Sequence, residues 1–166
     1  RCQKAVFDFG PLAEGFTVRM GGCHSCPIRC HSQLDVPSVE EKYGYSRYAA
    51  NTCVGWSGPG GVMGSFPDGS RGMTSIEAKV LGKHLVDDLG VWCNYGSIGR
   101  EFKYAYEKGL IKKYVPEAEY KTIPFDLWEK GDPAFLIDFY KRIAFRQGEF
   151  GEAMGEGTAR LAKRWG

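Results

Sequence analysis

A mainly α-helical domain with an irregular, glycine-rich N-terminal half is what this 166-residue sequence predicts. Three observations carry that expectation. Beyond residue 74, apolar residues recur every three or four positions between clear start and stop residues. Before it, glycine and proline interrupt each stretch, and no segment alternates convincingly at period two. The length suits one domain with a proper core, read as a single unit over 1–166 with a loop-rich part at 1–73 and a helical part at 74–166.

In chain order, the first notable stretch is GGCHSCPIRC, residues 21–30, which puts Cys23, Cys26 and Cys30 in one short segment led by Gly21 and Gly22. The C-x2-C-x3-C spacing lets consecutive thiolates converge on one metal or one corner of a cluster. An aromatic stretch, EKYGYSRYAANTCVGW, follows. Then GWSGPGGVMGSFPDGSRG holds seven glycines between residues 55 and 72. It carries neither of the glycine patterns that cradle nucleotide phosphates and reads as an irregular loop.

The helical half opens with TSIEAKVLGKHLVDDLG. Thr74 faces Glu77 as a capping box, Ile76, Val80, Leu81, Leu85 and Leu89 share a helical spacing, and Gly90 stops the helix. SIGREFKYAYEKGLI repeats the pattern, with Ile98, Phe102, Ala105 and Tyr106 on one stripe and Gly109 as the end signal. IKKYVPEAEYKTIPFDLWEK, with Pro116 and Pro124, reads as a surface crossing with at most a short helical turn. In GDPAFLIDFYKRIAFRQG, Asp132 caps and Pro133 suits the first turn. Phe135, Leu136, Phe139 and Ile143 line a face, and Gly148 terminates. GEAMGEGTARLAKRWG makes a weaker last helix.

Composition narrows the function. Twenty-two basic against 20 acidic residues leave a net charge of +2, so no positive field exists to draw nucleic acid or anionic lipid. No apolar run approaches the roughly 18 residues of a membrane helix. The chain opens on Arg1 without a signal-like start, which is expected of a processed chain or of a piece of something longer. Six cysteines, three of them clustered, suit metal-ligating thiolates in a reducing cytoplasm better than a disulfide framework.

The cluster spacing favours iron–sulfur over zinc, which usually takes two separated pairs, or over unligated thiols. His24 and His31 each adjoin a cluster cysteine and are awkward partners for it, and His84 reads as a partly buried, hydrogen-bonded helix residue. Cys2, Cys53 and Cys93 are the remaining candidates for a fourth ligand. In VDDLGVWCNYGS, Asp87 and Asp88 sit where acids oppose the helix dipole, a local rule broken at small cost and so a hint of function.

Taken together, GCHSCPIRC, DDLGVWC, AYEKGLI and GDPAFLIDFYKRIAFRQGEFGEAMGEG resemble the tungsten- and molybdenum-dependent aldehyde ferredoxin oxidoreductase family, in order from about Gly22 to Gly157. The resemblance implies a parent chain of three domains, a β-rich base and two mainly helical ones, around a tungsten or molybdenum bis-pterin and a [4Fe-4S] cluster. This chain is similar to the middle domain. Cys23, Cys26 and Cys30 would then bind three irons, with the fourth ligand on another domain of the parent chain. DDLGVWC matches a D-x-x-G-L-C/D motif, so Asp87 stands for the pterin-contacting acid, Gly90 for its turn, and Val91 for the apolar position whose backbone faces the pterin. Trp92 departs from the pattern, standing where Asp or Cys is expected. That weakens the pterin contact there and suggests a divergent branch whose substrate need not be a simple aldehyde. Neither Glu40 nor Glu41 aligns with the family's glutamate near the metal, so no acid–base residue is assigned.

The implied function is oxidation of an aldehyde-like small molecule, with electrons leaving through [4Fe-4S] to a ferredoxin-like acceptor. The competing reading is a self-contained, non-catalytic metal-binding or electron-transfer module. Were the chain a middle domain, Val91, Trp92 and Tyr95 would be exposed on a face that pterin and a neighbouring domain cover.

Overall fold

The computed structural model describes residues 15–21, 24, 25, 27, 31–51, 62, 63, 75–91 and 98–166. It is mainly helical, as expected, and it also contains a sheet that the sequence did not reveal. Strands β1 (Thr17–Gly21), β2 (His31–Asp35) and β3 (Tyr48–Asn51) form an antiparallel sheet in the order β1-β2-β3. Gly21 pairs with His31 at one end of the hairpin, and the register shifts by a residue between Thr17 and Arg19. Strands of four or five residues, with Leu34 the only apolar side chain in HSQLD, are too short to show period two; cross-strand pairing defines them.

Helix α1 (Pro37–Tyr43) follows β2 directly, with Pro37 in its first turn and Gly44 at φ +70° closing it. Arg47 ties the turn into β3 back to β2. Its guanidinium grips the Asp35 carboxylate with both arms, one at 3.0 Å, and its carbonyl accepts the Val36 N–H at 2.8 Å. Leu34, Val36 and Val39 are buried beneath the sheet against Ile76 and Val80.

Helix α2 (Ile76–Leu89) is capped by Ser75, whose Oγ accepts the Ala78 N–H at 3.1 Å. The expected Thr74–Glu77 box is therefore displaced by one residue; Glu77 instead pairs with Lys42 of α1 at 2.8 Å. Ile76 and Val80 face the sheet core while Ala78, Leu81, Leu85 and Val86 enter a larger helical core.

That larger core is built by α3 (Ile98–Glu107), α4 (Leu110–Tyr114), α5 (Glu117–Tyr120), α6 (Phe125–Glu129), α7 (Phe135–Ala144), α8 (Gly148–Gly155) and α9 (Thr158–Trp165). The segment expected to cross the surface is no such thing. Pro116 and Pro124 start α5 and α6 rather than interrupting a path, and Ile111, Val115, Ile123, Phe125 and Trp128 are all buried. Helices of one turn are too short to display periodicity.

Asp132 accepts the Ala134 N–H at 2.9 Å ahead of α7, and all four residues of its expected apolar face are buried. Gly148 does not terminate α7. Arg146, at φ +50°, turns the chain, and Gly148 opens α8. The final stretch is two helices rather than one. α8 lies so close to α7 that a Cβ at Gly151 would come 2.3 Å from the Arg142 carbonyl oxygen. Its free N–H groups at Glu149 and Phe150 both donate to the Glu119 carboxylate at 3.0 Å. α9 is locked by the Arg164 guanidinium on Glu149, at 2.6 and 2.8 Å, and by the Trp165 indole N–H on the same carboxylate at 2.9 Å.

Phe102 is the hub of the core, fully buried, with ring centroids of Trp128, Phe139 and Phe135 at 5.0, 5.2 and 5.5 Å. Phe102→Ala is expected to cost about 3–5 kcal/mol in urea unfolding; a loss below about 1 kcal/mol would mean the cluster is not packed this way.

Arg164's hydrogen bonds, helped by the Trp165 N–H, hold the Glu149 carboxyl below its ordinary value of 4.5 although burial opposes them. A lowered folded pKa contributes stability that is complete above the unfolded value and is lost as pH falls through the folded one. Thermal stability should therefore decline below about pH 4.5, and Glu149→Gln should flatten that decline while lowering stability at neutral pH. An unchanged acid slope in the variant would contradict the role given to this pair.

Candidate cofactor-binding site

Two structural features carry the residues singled out by sequence. The first is the β1–β2 hairpin. Its paired ends, Gly21 and His31, hold both ends of the segment containing Cys23, Cys26 and Cys30. The three cysteines lie outside the described residues, as do Cys2, Cys53 and Cys93. Within the segment, His24, Ser25 and Pro27 are exposed, and Ser25 sits at φ +61°, a left-handed position that non-glycine residues seldom take. Among the described residues, which include no cysteine, no three His, Asp or Glu side chains gather in a metal-binding group.

The second feature is the C-terminal end of α2. Gly90 adopts φ +64°, its N–H reaches the Asp87 carbonyl at 3.3 Å, and the Val91 N–H reaches the Val86 carbonyl at 2.9 Å. These are the two hydrogen bonds of a Schellman closure, completed by Val91 packing on the core that contains Val86. The Val91 N–H is thus spent within the helix end. A Cβ at Gly90 would meet no atom of the described residues within 4 Å, so none of them blocks the approach to this helix end there. Trp92 and Tyr95 lie outside the described residues.

Asp87 and Asp88 are both exposed in the last turn, which contains no basic residue. Two carboxylates beside the negative end of a 14-residue helix make a site that disfavours phosphate and favours hydrogen-bond donors. A pterin ring edge, with its amino and ring N–H groups, is a donor of this kind, so the helix end fits one contact of such a cofactor. It supplies one wall only.

One turn earlier, His84 is half-buried as expected. Its Nε2, however, is buried and has no hydrogen-bond partner among the described residues, so the expected bond is not found there. Glu40 and Glu41 are exposed on α1.

Comparison with known proteins finds one family over nearly the whole chain. Residues 6–166 match the family model described as aldehyde ferredoxin oxidoreductase, domains 2 and 3. The tungsten-containing aldehyde ferredoxin oxidoreductase of Pyrococcus furiosus is 28% identical over 156 residues, covering 93% of this chain and 22% of that protein. Its counterpart from Pyrococcus abyssi is 27% identical over 172 residues, covering 98% of this chain and 25% of its own length. The chain belongs to the aldehyde ferredoxin oxidoreductase family. It spans about a quarter of the length of the curated relatives it matches.

Gly90→Ala isolates the helix end. Because no atom of the described residues crowds the position, the cost they set is that of the left-handed backbone, about 1–2 kcal/mol in denaturant unfolding. A neutral or stabilising result would show that the turn is not held in this conformation.

Proposed function

We propose that this chain is the cluster- and pterin-contacting middle domain of a tungsten- or molybdenum-dependent oxidoreductase. The parent enzyme oxidises an aldehyde-like small molecule in the cytoplasm and passes the electrons through [4Fe-4S] to a ferredoxin-like acceptor. The observation that supports this best is the family match over nearly the whole chain, combined with a quarter share of the relatives' length. The relatives' name, tungsten-containing aldehyde ferredoxin oxidoreductase, favours tungsten. Among the described residues no helix is long and apolar enough to cross a membrane.

In this reading the metal supplies two-electron chemistry and the cluster removes electrons singly. The chain's own residues do the holding. Cys23, Cys26 and Cys30 present thiolates from a segment whose ends the hairpin fixes, and the fourth cluster ligand comes from another domain of the parent chain. Asp87 accepts a hydrogen bond from the pterin edge, Gly90 keeps the turn clear of side chain, and Val91 offers its carbonyl. Trp92 can only donate through its indole, where an Asp would accept, so the polarity of that contact is reversed. The self-contained module would need a fourth ligand from Cys2, Cys53, Cys93 or a histidine within the chain.

The test uses the full-length parent protein, purified anaerobically. Iron and sulfide in cluster stoichiometry are expected, with iron falling severalfold in Cys26→Ser. Stoichiometric zinc without iron would overturn the cluster assignment. Asp87→Ala should lower the pterin content while leaving iron unchanged; equal pterin in variant and parent would remove Asp87 from the site. The 166-residue segment alone should show background aldehyde oxidation with an artificial acceptor, and turnover by it would contradict the shared-site reading.

A further inference from the structure

Away from both features lies a groove of about 440 Å3 between α3, α4 and α9. Tyr104, Ala105, Leu110, Leu161, Ala162 and Trp165 line it, and Tyr104 is 56% exposed. The groove is held open from behind. Trp165 stacks on Tyr114 with centroids 6.1 Å apart, its indole N–H is tied to Glu149, and Arg164 grips Glu149, Glu152 and Glu156, so α9 cannot settle inward to fill the space. At the rim, the Thr158 hydroxyl donates to the Glu101 carboxylate and joins α9 to α3.

We propose that this groove seats apolar side chains from a segment of the same parent polypeptide that lies outside these 166 residues. The volume alone would suit a small ligand, but ligand sites set a few polar groups inside an apolar lining to fix orientation. Here the floor is apolar and the polar residues stand at the edge, where Arg100 is exposed and Glu101 and Thr158 are engaged with each other. An apolar floor with a polar rim is the anatomy of a contact between polypeptide surfaces. The occupant comes from the same chain because about three-quarters of the length of the matched relatives lies outside the part this chain covers. Tethered polypeptide reaches a neighbouring groove at far higher effective concentration than a separate partner does. The proposal rests on family membership and length and does not depend on the cofactor reading.

Ala162 is exposed at the groove and can be changed without disturbing the core. In the full-length protein, Ala162→p-benzoylphenylalanine should, on irradiation, cross-link within one chain to a peptide outside the 166 residues. Cross-links to a second copy or to another protein, cross-links confined to these residues, or no cross-link would each overturn the proposal. In the unmodified full-length protein, hydroxyl-radical oxidation of Tyr104 should be slowed, relative to the unfolded chain, far more than its 56% exposure in this segment alone would give. Slowing no greater than that exposure gives would mean that the groove is open to solvent and would equally overturn it.

Discussion

The burial of α2 between two cores is the constraint on which the rest of the structure depends. Its Ile76 and Val80 complete the small core under the sheet, and its Ala78, Leu81, Leu85 and Val86 are embedded in the large helical one. A helix with apolar residues on two faces must bury both, and burying those of α2 joins the two halves of the chain. Polar ties reinforce the joint at the sheet side: Lys42 holds Glu77, and the Lys83 ammonium donates to the Ala50 carbonyl at 2.8 Å. Tyr43 and Tyr45 pack against both cores and close the seam. The hairpin that bears the cysteine segment and the helix end that bears Asp87 and Gly90 are thereby built on one frame.

A cofactor site distributed over several domains needs such a frame, because first contacts are useful only when rigid elements hold them. The helical half provides the rigidity. The ring of Phe102 at its centre is fully buried, the Trp128 indole N–H is satisfied by the Val62 carbonyl at 2.9 Å, and the N-terminus of α8 is satisfied by Glu119. Against that background the two carboxylates at the end of α2 are the local inconsistency. They oppose the helix dipole without any basic residue in the last turn to offset them. Their cost is small, and a ligand bearing hydrogen-bond donors would relieve it.

Legibility in the sequence tracked element length. The helices α2, α3 and α7 have ten or more residues each, and their apolar stripes were readable in advance down to Phe102, Phe139 and Ile143. The sheet was not readable, since β2 offers one buried apolar residue and its partners are decided by pairing across 10 to 20 positions. Glycine signals misled where two helices meet: Gly148 looks like an end, but Arg146 takes the left-handed turn and Gly148 begins α8. Ser75 and Thr74 are equally good caps by type; Ser75 takes the role, and Thr74 lies outside the described residues. The DDLGVWC string marked the helix end correctly, whereas nothing in sequence indicated that the Val91 N–H would be consumed by the Schellman closure.

The central claim is that the hairpin end and the α2 end serve one redox site. Anomalous diffraction from crystals of the full-length protein, collected at the iron, zinc and tungsten edges, tests it most directly. The account predicts iron density of cluster size beside the Gly21–His31 end of the hairpin and a tungsten peak on the Asp87 side of α2. Zinc beside the hairpin, or a heavy-metal peak remote from Gly90, would contradict it.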